Sequence, residues 1–496
     1  MKLMGYQISH VCLSALFFNA FGMLIGIISY SLTAGETYSE LLKVALILII
    51  GIYNIWPVFY DLCLKRFDFC DINNIALTYF AVLFTIPCML LLLDFTAVPF
   101  EMEVSHYVKG LREMALSVIL VSLCSFNCGV LLCKRTQRMT RECLPIDLRQ
   151  GADRFYIIGI ACILTGLIAL LSTFADQGGL HEFASRLPEW RTNGVIAGAG
   201  HVLFPVGVIM PYGVLLIAIS SIKQSPHKLS IWCRSILLLS IALVIIAMSA
   251  LGFRILILLF LSSIVIVWHY RRRYLRVVKL LFLFILITGG LVVGGVAREI
   301  KANTQDSNLF LRSALYRVAG LQTVERVIQL SRETQPTRNL SHVLIESLTI
   351  AIPRSIWAGK PESGNLQFAA TFFEDYFRWR DGSNVSVMSG MPPTLPGETM
   401  WVLGLGGVII VSLAIGFIAG KIYVWFKFKP NEWRSFVYAA LAPTIILFLE
   451  APQNALNALV LSLIFITGLY FFVFVRINGG LPSLNRTLKS QAMSST

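Results

Sequence analysis

The run Trp232–His269, "WCRSILLLSIALVIIAMSALGFRILILLFLSSIVIVWH", decides how this chain folds. It is apolar over far more than the roughly 20 residues a helix needs to cross about 30 Å of hydrocarbon. Its middle, Ser249-Ala250-Leu251-Gly252-Phe253-Arg254, holds a glycine and an arginine. As one span the run would place Arg254 near the bilayer centre, at a cost of about 2.5–3.5 kcal/mol on insertion scales. A tight hairpin with Arg254 at its turn removes that cost. The reading is therefore two helices, near 235–250 and 255–270.

The same reading extends along the chain. It is 56% hydrophobic and only 14% charged, where a soluble protein carries roughly 25% charged residues. Apolar runs predict further helices near 8–30, 41–59, 75–94, 114–133, 155–173, 202–222, 277–297, 401–422, 435–450 and 455–475. The expected fold is an all-α polytopic membrane protein of about twelve transmembrane helices. Nine lie in 1–297, with a smaller outer loop at 175–201. A large outer loop, 298–400, precedes three more in 401–475, and 476–496 is a tail. The first span has a short basic start without a small-residue cleavage site and reads as a signal anchor.

The net charge of +14 sorts by loop. Lys65, Arg66, Lys134, Arg135, Arg138, Arg141, Lys223, Lys228, Arg271–Arg273, Lys427 and Lys429 fall between spans on one side, while "TAGETYSE" (33–40) on the other has no base. Short cytoplasmic loops are rich in Lys and Arg, so both termini are expected inside. The basic charge is then a topology signal and calls for no nucleic-acid partner. All ten cysteines fall in expected spans or inner loops, so no disulfide framework is expected. Cys124 and Cys128, one helical turn apart, read as small buried residues.

The large loop looks ordered. "SALYRVAGLQTVERVIQL" (313–330) and "SHVLIESLTIAI" (341–352) carry apolar positions at helical spacing, predicting short helices lying on the membrane surface. Its cations are mostly arginine, whose planar fork suits phosphate and carboxylate, and acids nearly balance them. That is the pattern of a site with placed charges.

Each candidate has a plainer reading beside it. Arg254 is either aimed at a lipid phosphate or snorkels at the interface. Arg298 and Lys301 leave a span one turn apart and also fit interfacial anchoring. Arg317 sits on an amphipathic segment, where a solvated helix face is the alternative. In "IPRSIWAGKPESGN" (352–365), Pro353 and Pro361 stop a continuous helix, Trp357 suits a headgroup or sugar face, and Arg354 and Lys360 bracket it. An interfacial turn that caps the bundle is the plain reading. Glu398, in "MSGMPPTLPGE" (388–398), is a candidate base, an orienter for an arginine, or a structural ion-pair partner. His181, His201 and His342 read as structural or supporting, His201 being the best candidate of the three. No HExxH, Walker loop or Cys-x-x-Cys occurs, and no outer acidic cluster for Mg²⁺ stands out, so neither a metal nor a cofactor is expected.

Together these segments resemble the bacterial O-antigen and oligosaccharide repeat-unit polymerases of the Wzy type, especially those of enterobacterial common antigen. The resemblance is carried by "LGFRILI" (251–257), "VAREIKAN" (296–303), "LYRVAGLQTVERV" (315–327), "IPRSIWAGKPESGN" (352–365) and "PPTLPGETMWVLGLGG" (392–407), and covers about residues 150–420. It implies a metal-independent glycosyltransferase of GT-C type in the bacterial inner membrane, with the large loop periplasmic. Its substrates would be undecaprenyl-diphosphate-linked oligosaccharides, as donor and as acceptor, within the lipid bilayer. A separate co-polymerase usually sets chain length in such systems. On this resemblance Arg254, Arg298, Arg317, Arg354 and Lys360 form the diphosphate clamp. Arg191, in "RLPEWRTNG", holds the second lipid-linked substrate, with Trp357, Lys301 and His201 as further binding residues. Glu398 orients or activates the acceptor, and the relatives do not all keep an acid there, which favours orientation.

Two rivals share these features in part. An O-antigen ligase uses the same donor and transfers to lipid A core. A flippase of lipid-linked sugars would be expected to show internal repeats and broken helices with charges at the midplane, and the sequence displays neither.

Overall fold

In a computed structural model of the chain, every regular element among the described residues is a helix. The structure describes residues 2–34, 40–63, 68, 70–92, 110–135, 152–176, 178–179, 181–182, 205–221, 231–250, 254–272, 320–333, 339–349, 357, 393–428, 431 to 471. Nine helical stretches among them are long and apolar enough to cross a membrane, making this a multi-pass helical membrane protein. Two expected spans correspond to shorter apolar helices, Val206–Ser221 and Leu256–Tyr270. The expected span near 277–297 lies outside the described residues.

The first helices are α1 (Lys2–Ala34), α2 (Glu40–Cys63) and α3 (Ile72–Phe80). A π-helical turn, Ala81–Thr85, joins α3 to α4 (Ile86–Leu92). Asp71 caps α3, its carboxylate accepting the N–H of Asn73 at 3.0 Å. Next come α5 (Leu111–Arg135), α6 (Ala152–Asp176) and, after a π turn at Pro205–Ile209, α7 (Met210–Ser221).

The expected division of this run into two helices is present. One helix, α8 (Ile231–Ala250), ends before the glycine, and α9 (Arg254–Arg272) begins at the arginine. The large loop contributes α10 (Gly320–Glu333) and α11 (Leu340–Leu348). The chain closes with α12 (Leu395–Phe428), α13 (Glu432–Glu450) and α14 (Pro452–Tyr470).

The core forms around α5, whose residues from Glu113 to Val130 are buried without a break. It packs most closely on α12, then on α1 and α2. In lipid no water is released when apolar helices meet, so close approach and hydrogen bonds must hold them. Small residues supply both. Gly129 faces Gly416 across the α5–α12 contact, and Ser122 Oγ lies 2.9 Å from Ser412 Oγ. Gly159 and Gly213 make the same close approach between α6 and α7. Asn127 Nδ2 donates to the Tyr53 carbonyl at 3.4 Å, and Tyr53 Oη donates to the Phe18 carbonyl at 2.7 Å, tying α5, α2 and α1 in series.

Two expectations change. The span expected from 401 begins at Leu395, where Pro396 occupies the first turn, a position that costs no hydrogen bond. It is also two helices in one: Gly404 has φ 67° and ψ −167°, a conformation open to glycine alone, so 395–403 meets 405–428 at a break. The loop helices also differ from each other. Leu340, Leu344, Ile345 and Leu348 of α11 turn outward, as a helix at a membrane surface does. By contrast, α10 buries Leu321, Thr323, Val324, Glu325, Val327 and Ile328 among α5, α12 and the π turn. It is wedged into the bundle end and does not lie on a surface.

Candidate functional site

Glu398 lies in the first turn of α12 and is 4% exposed. A carboxylate there benefits from the partial positive charge of the helix start. Its backbone N–H donates to the Thr394 carbonyl at 2.8 Å. Its Oε2 accepts the backbone N–H of Gln453 at 3.2 Å, next to the proline that opens α14. Gln453 is itself 1% exposed. Its Nε2 reaches Asn457 Oδ1 at 3.2 Å and the Val343 carbonyl of α11 at 3.5 Å.

The loop helices meet α12 here. Thr323 Oγ1 of α10 and Thr394 Oγ1 are 3.4 Å apart, and Val324 and Val327 pack toward Gly397. Arg112 Nε, at the start of α5, donates to Glu325 Oε1 of α10 at 3.0 Å. Burial pushes the Glu325 carboxyl up, and the Arg112 charge pulls it back only in part. At the α13–α14 turn, Tyr79 Oη donates to Glu450 Oε2. This end of the bundle therefore gathers buried carboxylates from α10, the first turn of α12 and the last turn of α13. When ionised, such groups accept hydrogen bonds only, which suits them to hydroxyls and arginine. Among the described residues no group of three His, Cys, Asp or Glu side chains is placed to hold a metal ion.

The other expected site residues fare differently. Arg254 opens α9, its side chain lying outside the described residues. Trp357 is described and 38% exposed. Arg191, His201, Arg298, Lys301, Arg317, Arg354 and Lys360 lie outside the described residues. His342 is exposed on α11, where its backbone N–H donates to Asn339 Oδ1 at 3.1 Å.

A second polar assembly, which the sequence reading did not single out, sits at the opposite end of α12. Asp68, between α2 and α3, is 6% exposed. Around it stand His269 and Tyr270 from the last turns of α9, and Tyr423 and Lys427 from those of α12. Burial alone would push the Asp68 carboxyl up. The His269 hydrogen bond and the Lys427 charge outweigh it and hold the group well below the usual carboxylate range. The one sequence signal was a pair of carboxylates, Asp68 and Asp71, directly after the bases Lys65 and Arg66 in the inner segment "LKRFDFCD" (64–71).

No protein-family model matches this chain, and no curated protein or solved structure matches it.

Proposed function

We propose that the chain is a repeat-unit polymerase: a metal-independent, GT-C-like glycosyltransferase joining undecaprenyl-diphosphate-linked oligosaccharides at the outer face of a bacterial inner membrane. The observation that carries the reading is Glu398. It belongs to "PPTLPGETMW", the segment with the family resemblance, and is buried where two helices of the 298–400 loop dock on the bundle.

In this reading an acceptor hydroxyl on the incoming lipid-linked unit attacks C1 of the growing glycan. The C1–O bond to the diphosphate breaks, and undecaprenyl diphosphate leaves with the electron pair. The hydroxyl proton passes to solvent or to the departing diphosphate, with Glu398 orienting the hydroxyl. Arg254, Arg298, Arg317, Arg354 and Lys360 stabilise the developing negative charge. Each charge-assisted hydrogen bond contributes about 1.5–3 kcal/mol. Arg191, Trp357, Lys301 and His201 hold the substrates, and a chain-length-regulating co-polymerase is the expected protein partner.

The test is the size distribution of surface and lipid-linked glycan in cells lacking the protein, complemented with wild type or Arg354→Ala. Collapse of the ladder to single repeats, unrescued by the variant at normal protein level, supports polymerisation. Long glycan retained on the lipid carrier instead marks a ligase, and repeat units trapped on the cytoplasmic face mark a flippase.

A further inference from the structure

Asp68 is saturated. Its Oδ1 accepts the backbone N–H of Cys70 at 3.1 Å and the Nε2–H of His269 at 3.1 Å. Its Oδ2 accepts the hydroxyls of Tyr270 at 2.8 Å and Tyr423 at 3.1 Å, and Lys427 Nζ at 2.8 Å. A carboxylate offers about four lone-pair sites, so five donors leave no place for a ligand. The surroundings are closed as well. Tyr438 of α13 donates to the Cys70 carbonyl at 2.6 Å and accepts the Ile72 N–H at 3.0 Å. Its ring stacks on Phe426 at 4.5 Å, while Lys427 lies 4.3 Å above the Tyr270 ring.

The donors come from helices that begin at the other end of the molecule. The helix holding His269 and Tyr270 begins at Arg254, and the one holding Tyr423 and Lys427 begins beside Glu398. Opening the bundle at the Asp68 end would pull α9 and α12 away from the α2–α3 turn. That would strand a buried carboxylate among unsatisfied donors, an arrangement that buried charge-assisted bonds oppose strongly. A carrier working by alternating access must open both ends in turn.

From this geometry we propose that the Asp68 assembly is a permanent latch. It keeps one end of the bundle shut through the whole working cycle, so that lipid-linked substrates enter and leave only at the Glu398 end. The inference goes beyond the polymerase reading and rests on it only for the lipid-linked substrate; the closure itself is what a one-sided enzyme of any specificity would need.

Cys70 supplies the probe. Its thiol is 1% exposed inside the latch, and burial pushes it well above its ordinary pKa, whereas Cys63 at the end of α2 is exposed. Full-length chains keeping Cys70 or Cys63 as the sole cysteine are labelled with a membrane-impermeant maleimide. Membrane vesicles of both orientations are used, prepared with and without lipid-linked repeat units, and rates are normalised to the chain unfolded in detergent. The latch predicts that Cys70 labels about 100-fold more slowly than Cys63, with or without substrate. Asp68→Asn, which puts an amide NH₂ among the donors, should raise the Cys70 rate at least about tenfold. Should that variant not fold, Lys427→Met, which removes one donor only, must raise it in the same direction. Cys70 labelling as fast as Cys63, or labelling that appears only with substrate, overturns the proposal. So does a folded Asp68→Asn chain whose Cys70 stays protected. The labelling requires no glycan product, so an unchanged glycan ladder would sink the polymerase reading and leave this result standing.

Discussion

A methyl group on Gly129 would stand 3.0 Å from the carbonyl carbon of Gly416 and 2.1 Å from the Leu413 carbonyl oxygen. The obstacle is backbone on both sides: a Cβ on Gly416 would meet the Phe126 carbonyl oxygen at 2.1 Å. Gly416→Ala must therefore push α5 and α12 apart, and should cost about 1–3 kcal/mol or more. Ser412→Ala removes only the hydrogen bond to Ser122, for which about 0.6 kcal/mol is typical inside a membrane. Unfolding in mixed detergent should rank the glycine change well above the serine change.

Gly404 and Gly406 form a matched pair, since nothing lies within 4 Å of a Cβ at either. Only Gly404 has a positive φ. Gly404→Ala should lose about 1–3 kcal/mol through backbone strain alone. Gly406→Ala should be neutral or gain up to about 1 kcal/mol from helix propensity. Equal effects at the two positions would argue that the break has another cause.

Arg112→Ala leaves the Glu325 carboxyl buried without its Nε donor, and should cost about 3 kcal/mol near neutral pH. Because burial already pushes this carboxyl up, the folded state holds its proton more tightly than the unfolded chain does. Stability from that group is present at low pH and lost as pH rises through the folded pKa. The variant's deficit should accordingly shrink on acidification below neutrality. A double change, Arg112→Met with Glu325→Leu, should recover most of the loss, which thermal unfolding across pH would read.

Asp68 behaves in the opposite sense. Its folded carboxyl is held below the ordinary value, so its stabilisation is fully present above about pH 3.9 and is lost as pH falls through the folded pKa. The stability gap between wild type and Asp68→Asn should stay constant from pH 8 to pH 5, and close only in strong acid. A gap that closes between pH 7 and pH 6 would mean that another group, not this carboxylate, carries the effect.

Glu398→Gln keeps the size of the side chain and an oxygen for the Gln453 N–H. If Glu398 orients the acceptor, polymerisation should fall by less than about 100-fold, whereas loss of an obligatory base costs about 10²–10⁴-fold. Initial rates on lipid-linked repeat units, with the ladder in cells as a second readout, separate the two.

Much of the helical layout was legible because hydrocarbon demands long apolar runs. The Gly252–Arg254 interruption even located where α8 ends and α9 begins, since an arginine at a bilayer centre is costly. The loop helices were legible from their spacing, but the burial of α10 was not. A buried carboxylate such as Glu325 looks like a solvated one until its partner, Arg112, arrives from 213 residues away. One partner of Glu398 was hidden for a related reason: the backbone N–H of Gln453 leaves no side-chain signal in the sequence. The Asp68 assembly draws donors from three separate stretches of chain, and of the donor side chains only Lys427 stood out in the sequence, as one more inner-loop cation. Proximity of that kind is a product of helix packing and leaves no local pattern.

The break at Gly404 also settles how this protein meets membranes of different thickness. A continuous helix of 34 residues would be on the order of 50 Å long, far beyond the hydrocarbon layer of about 30 Å. Only 405–428 has to match the lipid tails, and it can do so by tilting. The half-helix before it buries Leu395 through Trp401 within protein. The lower segment is fixed to α5 at Gly416 and to Asp68 through Tyr423 and Lys427, so it tilts with the bundle as a body, while the half-helix around Glu398 has no lipid length to match.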